Sequence, residues 1–279
     1  MSFPALLISL FIDRVFPDVT EWRRFAWLRS YIAWWTRQQW LGSLQNSSWL
    51  GAISLLPLLA LVACLQYLLL PPLGALPVFV IESAILLLCL GPANLDQAAD
   101  RLAQAHAENA TALGHILADS GVPDTGSDNP PEERIRHGLL LASCRRYIGP
   151  VCWFALLGPV GAVAYRLSEQ TQATPAYSQA PWASDWFDML NWIPARANAA
   201  AFAIAGDFEA VASAWKLCRP DSPNCAGNDA LLIATGEAAL GDVADLGPIQ
   251  RFDNTLQLAW RSLGAIVTIL GVAWLLSLF

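Results

Sequence analysis

Long runs of apolar residues, separated by short polar stretches, dominate the pattern of hydrophobic and polar positions along this chain. Four runs hold 18 to 22 residues with at most one charge, namely Trp49–Leu70, Gly74–Gly91, Ile148–Tyr165 and Ser262–Phe279. A helix that crosses the hydrocarbon core of a bilayer needs about 20 apolar residues. The pattern therefore predicts four transmembrane helices, and Leu190–Gly206 is a candidate fifth membrane segment.

The predicted fold class is all-α: a polytopic integral membrane protein with four to five membrane-inserted helices and cytoplasmic helical loops. Residues 1–48 are expected to form membrane-associated and interfacial helices, and 49–91 a transmembrane helical hairpin. A helical loop with a mobile linker at 121–131 is expected over 92–147. A transmembrane helix and a broken or re-entrant helix are expected over 148–206. A second cytoplasmic segment at 207–261 and a C-terminal transmembrane helix at 262–279 complete the plan.

Basic residues orient these segments, because arginine and lysine are enriched in cytoplasmic loops. They gather before the first span, in the loop 92–147 and in the segment 207–261, and they are absent from 71–77 and from 168–190. The distribution predicts a cytoplasmic position for 92–147 and for 207–261. It also requires Leu190–Gly206 to cross or re-enter the membrane, so five crossings is the preferred count.

The composition agrees with a membrane protein. Of the 279 residues, 55% are hydrophobic and 14% are charged, whereas a soluble domain has about 25% charged residues. The net charge of −7 and the absence of a basic stripe disfavour nucleic acid as a partner. We expect a lipid bilayer to surround the chain.

Motifs for metals, nucleotides and hydrolysis are absent from the sequence. There is no C-x-x-C pair, the three histidines are not grouped, and no phosphate-binding glycine loop, serine nucleophile elbow or zinc-protease helix occurs. We therefore predict no metal site, no cofactor and no catalytic residue. Cys218 and Cys225 are predicted to be free thiols because their compartment is expected to be reducing, although their spacing also permits a small disulfide loop.

The segment N-W-I-P-A-R places Pro194 and Arg196 inside an apolar run. Proline suits the first turn of a helix, so a helix is predicted to begin near Ile193. An arginine in that first turn adds a full charge to the positive helix end, which is the chemistry of an anion or phosphate receptor. Asp188 and Asn191 are candidates to hold the guanidinium or to add contacts. The alternative is that Arg196 reaches the headgroups or pairs with Asp188 for structure alone.

A second polar place is the segment S-P-N-C-A-G, in which Ser222, Pro223 and Asn224 have turn chemistry. Gly227 allows a positive φ, and Asn228 or Asp229 is expected to cap the next helix. Two helix starts would then face one pocket; the alternative is two unrelated loops.

Glu82 is the one acid within the span Gly74–Gly91. A charged group at the centre of a membrane helix costs roughly 2.5–3.5 kcal/mol, so Glu82 is predicted to face the bundle interior, where it is protonated or meets a partner. The alternative is a position close enough to the interface to stay hydrated.

These motifs together resemble the CobD/CbiB–AmpE family of bacterial inner-membrane proteins, and most of all its AmpE branch. The resemblance rests on G-P-V-C-W-F-A-L-L-G-P-V-G-A-V-A-Y-R at 149–166, on N-W-I-P-A-R, and on S-P-N-C-A-G followed by G-E-A-A-L-G. It implies a regulatory or signalling protein linked to β-lactamase induction, the response to β-lactam antibiotics and cell-wall recycling. Such a protein would act through a small anionic or phosphorylated ligand or through a membrane or cytoplasmic protein partner.

The alternative implied by the same resemblance is the CbiB branch, the adenosylcobinamide-phosphate synthase of cobalamin biosynthesis. This chain departs from that branch at Leu141-Ala142 and at Arg145-Arg146, where the synthase pattern has an acidic E-N and a D-G. The departures remove carboxylates that could hold a metal. A small transporter is the weakest reading, because the sequence has no inverted repeat.

Overall fold

The computed structural model describes residues 3–15, 30–31, 34, 49–69, 74–90, 117, 122–123, 130–173, 181–218, 227–241 and 247–277. Every element within these ranges is a helix, which confirms the all-α prediction. The elements are α1 Phe3–Val15, α2 Trp49–Cys64, the π-helical turn π1 Leu65–Leu69, α3 Ala75–Cys89, α4 Pro131–Ser143, the π-helical turn π2 Cys144–Ile148, α5 Gly149–Leu157, α6 Pro159–Ala173, α7 Pro181–Ala205, α8 Phe208–Leu217, α9 Asn228–Leu240 and α10 Pro248–Leu276.

The chain divides into two compact units. The first unit comprises Met1–Gly91 and Gly149–Trp192, and the second comprises Pro92–Ile148 and Ile193–Phe279. Helix α7 contributes its first half to the first unit and its second half to the second.

The first unit contains the helices that occupy the first two apolar runs. Helix α2 with π1 occupies the first apolar run and α3 occupies the second. Helix α1 packs on α3, where the Ser9 hydroxyl donates a hydrogen bond to the Ser83 carbonyl at 2.9 Å. Glu82 lies half-buried on α3 and makes at least one polar contact. Its predicted interior position in a membrane bundle stays a prediction.

The predicted single span Ile148–Tyr165 is two helices, so that prediction is wrong. Helix α5 ends at Leu157, and α6 begins at Pro159 after a turn at Gly158, whose φ is +69°. Gln66 of π1 serves both helix ends: its amide nitrogen donates to the Leu157 carbonyl at 3.5 Å, and its amide oxygen accepts from the Val160 backbone at 3.2 Å. The break is stable because a side chain from another helix satisfies the exposed backbone groups.

The second unit is built from α4, π2, the second half of α7, α8, α9 and α10. Its core comprises Leu140, Leu141, Cys144, Ala195, Phe202, Val211, Leu232, Ala239 and Leu258. Helix α9 approaches α4 closely at Gly236, where a β-carbon would lie 2.7 Å from the Leu140 side chain. The glycine therefore permits this packing. Within the predicted helical loop 92–147, the part from Pro131 onward is helical, as α4 continued by π2.

Helix α10 is 29 residues long and runs through the predicted boundary at 261–262, so 207–261 and 262–279 do not meet at a helix end. Its stretch Gln250–Leu276 is long and apolar enough to cross a membrane, and it alone passes that test among the described residues. The shorter apolar helices Leu55–Tyr67 and Ala75–Cys89 fall below the length required. Most of the predicted helical loop before residue 130, including most of the linker 121–131, lies outside the described residues.

Candidate functional site

Helix α7 runs without a break from Pro181 to Ala205, with Pro194 in its interior. The prediction that a helix begins at Pro194 after an unwound stretch is therefore wrong. A proline inside a helix leaves the carbonyl four residues earlier without its backbone donor. That carbonyl belongs to Leu190, and the Trp153 indole nitrogen donates a hydrogen bond to it at 2.9 Å. An indole thus replaces the missing amide, and the helix continues.

Arg196 contacts the beginning of α9. Its Nη1 donates a hydrogen bond to Oδ1 of Asn228, the first residue of that helix, at 3.1 Å. The N-cap of α9 is Gly227, whose φ of +128° agrees with the conformational freedom expected there. The N-cap residue is therefore a glycine, which has no side chain to cap the first-turn amides, and the prediction that Asn228 or Asp229 is the cap is wrong.

A second arginine reaches the same turn. Arg145 of π2 donates from Nη2 to Oδ2 of Asp229 at 2.5 Å. The other carboxylate oxygen of Asp229 is buried and has no hydrogen-bond partner among the described residues. Arg145 therefore contacts a carboxylate and Arg196 contacts an amide in the same first turn, at the positive end of α9. We call the group Arg145, Arg196, Asn228 and Asp229 the α9 cluster.

The other predicted site residues have separate locations. In the first unit, Tyr165 donates from its hydroxyl to Oδ1 of the fully buried Asn191 at 2.9 Å. Asp188 lies near Ser184, whose hydroxyl is 3.4 Å from its carboxylate. Asn191 and Arg196 are five residues apart on one helix, which separates them by about 140° around its axis. They therefore do not share a helix face. Pro194 is buried within α7, and Ser222, Pro223 and Asn224 lie outside the described residues.

Further ion pairs connect α4 to α9 and to α10. Arg136 and His137 both contact Oε1 of Glu237, at 2.5 Å and 3.3 Å, and Arg251 pairs with Glu132 at 2.8 Å. Burial opposes ionisation of Glu237, but the hydrogen bonds from His137 and Arg136 outweigh it and hold the pKa of that carboxyl below its ordinary value. These pairs bring together the segments 92–147 and 207–261, which the sequence predicts to share one side of the membrane.

The described residues contain no group of three or more histidine, cysteine or acidic side chains that could hold a metal ion. The basic groups of the α9 cluster are suited to an anion instead, because a guanidinium binds carboxylate or phosphate oxygens through paired N–H donors.

Comparison with known proteins decides the family. The chain matches the family described as "Regulatory signalling modulator protein AmpE" over residues 1–271. The chain belongs to the AmpE family. The resemblance seen in the sequence is thereby confirmed.

Two curated relatives carry the name "Cobalamin biosynthesis protein CobD". The protein of Stutzerimonas stutzeri is 31% identical over 147 residues, which cover 44% of this chain and 48% of the relative. The protein of Chromobacterium violaceum is 35% identical over 96 residues, which cover 32% of this chain and 30% of the relative. The chain therefore spans about half the length or less of these relatives. No solved structure matches it.

Cys218 of this AmpE-family chain is disulfide-bonded, so the prediction that it is a free thiol is wrong. Cys225, with which the sequence spacing would pair it, lies outside the described residues. Disulfides persist in oxidising compartments and are rare in the cytosol. The basic residues predict the cytoplasm for 207–261, so the two signals point to different compartments.

The sequence did not single out Arg145 or Arg166 as site residues. Arg145 was a departure from the synthase pattern, and its contact with Asp229 spans 84 positions. Arg166 follows an uncharged run of 18 residues, a position from which arginine ordinarily reaches the headgroups. In the structure it is 1% exposed. The one available signal was a charge near the end of an apolar run. That signal does not distinguish a buried arginine from one that reaches the headgroups.

Proposed function

We propose that this protein is a multi-pass inner-membrane regulator linked to β-lactamase induction and cell-wall recycling, and that it senses a small anionic ligand at the α9 cluster. The family supports the regulatory role. The observation that carries the ligand proposal is the convergence of Arg145 and Arg196 on the first turn of α9. A protein partner would then respond to occupancy of this site.

Several crossings are supported by the exposed apolar surface. Large hydrophobic side chains are more than half exposed on α2, α3 and α10; they include Leu56, Leu61, Leu76, Val80, Val272 and Leu276. Contiguous apolar surface of this kind is typical of contact with lipid or with a partner. Lipid contact along α2 and α3 would make the hairpin a membrane element beside α10.

The chemistry of the α9 cluster limits the ligand. Arg145, Arg196 and the first-turn amides attract an anionic group, such as a carboxylate or a phosphate. Oδ1 of Asp229 has no partner among the described residues and is an acceptor, so it suits a ligand that also carries a hydroxyl or amide donor. We propose a small hydroxylated or amidated anion, because a simple anion would leave this oxygen without a partner.

The second candidate is the synthase of cobalamin biosynthesis, and it is favoured by the names of the two curated relatives. Against it stands Arg145, which lies where the synthase pattern has an acid and which forms an ion pair with Asp229. An arginine at that place opposes metal binding.

A gene deletion complemented with variants tests the regulatory proposal. Arg196→Ala should abolish the induction of β-lactamase by a β-lactam while the protein remains folded in the membrane. Arg196→Lys should restore part of the induction, because lysine keeps the charge and loses the planar fork. The control Lys216→Gln removes an exposed charge from the same unit and should induce like the wild type.

Two results would overturn the proposal. Normal induction in Arg196→Ala would exclude the α9 cluster from the response. A deletion strain that loses corrinoid synthesis and regains it with the wild-type gene would instead support the synthase.

A further inference from the structure

Arg166 of α6 is a fully buried arginine in the first unit that the proposed α9 site does not use. It is 1% exposed, and its Nη1 pairs with Oε2 of Glu169 at 2.5 Å. Its Nε and Nη2 atoms are buried and have no hydrogen-bond partner among the residues that the structure describes. Buried polar groups in native proteins are nearly always hydrogen-bonded, so two unmatched donors on one charged group require an explanation.

The two unmatched donors form one recognition edge. In a guanidinium, the Nε–H and the Nη2–H lie on the same side of the planar group and point in parallel. That edge matches two oxygens of a carboxylate or phosphate in a bidentate contact. Glu169 does not use it, because the ion pair is formed through Nη1.

The polar side chains beside Arg166 on α6 form hydrogen bonds with other groups. Glu169 also accepts a hydrogen bond from Gln170 at 3.1 Å. The hydroxyls of Ser168 and Thr171 donate to the carbonyls of Tyr165 and Leu167. The C-terminal half of α6 is therefore a buried polar stretch whose unmatched donors are on Arg166.

We propose that the Nε–Nη2 edge of Arg166 binds one oxyanion group, a carboxylate or a phosphate, at a second site that lies in the first unit. Protein encloses this edge. The bound group is therefore a small anion or the headgroup phosphate of a lipid that binds while the protein folds. Glu169 balances the guanidinium charge and repels the incoming anion, so it limits the affinity.

The test uses full-length protein in detergent in the Arg196→Ala background, which removes the contribution of the α9 cluster. Thermal unfolding is followed while inorganic phosphate or acetate replaces chloride at constant ionic strength. Phosphate or acetate should raise the midpoint. The double variant Arg166→Gln/Glu169→Gln, in which no charge is left unpaired, should lose the response.

Glu169→Gln alone separates binding from a structural role. It removes the competing carboxylate, so the response should occur at a concentration roughly tenfold lower, as expected for a charge–charge contribution in a buried site. A merely structural ion pair would show no gain in anion response. Native mass spectrometry of untreated protein distinguishes the sources, because a phospholipid adduct and a small-anion adduct differ in mass.

An unchanged phosphate and acetate response in the double variant would overturn the proposal. So would a high-resolution map that shows only water on the Nε–Nη2 edge. A failure of the proposed α9 site would be seen in a different measurement. Wild type and Arg196→Ala would then show equal induction of β-lactamase.

Discussion

The two units join their helices by different means. In the first unit, glycines allow close approach and single side chains reach backbone groups: Gly161 packs against Trp153 and Leu157, and Gln66 bridges α5 and α6. In the second unit, ion pairs join helices whose residues are 84 to 119 positions apart in the sequence. The first unit should therefore respond mainly to changes of side-chain volume, whereas the second, which also has a close contact at Gly236, should respond to changes of charge as well.

The difference also concerns function. Arg251 pairs with Glu132, and Arg136 and His137 both contact Glu237, so these charges join α4 to α10 and to α9. At the α9 cluster, Arg145 pairs with Asp229 and Arg196 donates to the amide of Asn228 at a helix start. The second unit thus holds both ion pairs that join helices and a helix start at which two arginines meet polar side chains.

The largest expected effect concerns the side of the membrane on which the second unit lies. Alkaline phosphatase inserted after Gly241 should be active, because the disulfide at Cys218 indicates an oxidising compartment. An inactive phosphatase, with a fluorescent protein that folds at the same position, would place the segment in the cytoplasm, as the basic residues predict.

A substitution that adds side-chain volume in the first unit should have the next largest effect. A β-carbon on Gly149 would overlap the ring of Tyr165, so Gly149→Ala should destabilise the protein by about 1–3 kcal/mol. It should also disturb the hydrogen bond from Tyr165 to Asn191. The measurement is the thermal midpoint together with the amount of protein in the membrane.

Gly264→Ala is the matched control. A β-carbon there meets no atom within 4 Å, so alanine should be neutral or should stabilise helix α10 by about 0.5–1 kcal/mol. Equal losses at both glycines would contradict the account of tight packing in the first unit.

A fall in pH should lower the free energy of unfolding of the second unit by a smaller amount than Gly149→Ala lowers that of the protein. The pKa of Glu237 is lowered by its contacts with His137 and Arg136 despite its burial. Its contribution is therefore fully present above the unfolded-state pKa of about 4.3, and it is lost as the pH falls through the lower folded-state pKa. Glu237→Gln should cost about 1 kcal/mol at neutral pH. The difference from wild type should shrink as the pH falls below about 4, which urea unfolding at several pH values would measure; a constant difference would contradict it.

Local signals predicted much of the fold. The uninterrupted apolar runs predicted α2 and α3, and glycine chemistry predicted the positive φ of Gly227. The features that the sequence did not predict depend on partners that are distant along the chain. The continuity of α7 through Pro194 depends on Trp153, 37 positions from the carbonyl it serves, and the break between α5 and α6 depends on Gln66. The α9 cluster likewise needs Arg145, which no local pattern connects to Asp229.

The central claim is that Arg196 and Arg145 form an anion site at the start of α9. Calorimetric titration of inorganic phosphate into purified protein, at fixed ionic strength, tests it most directly. The account predicts a binding component in wild type and Lys216→Gln that weakens roughly tenfold or more in Arg196→Ala, because a charge-assisted contact is removed. Identical phosphate binding in Arg196→Ala and wild type would contradict it.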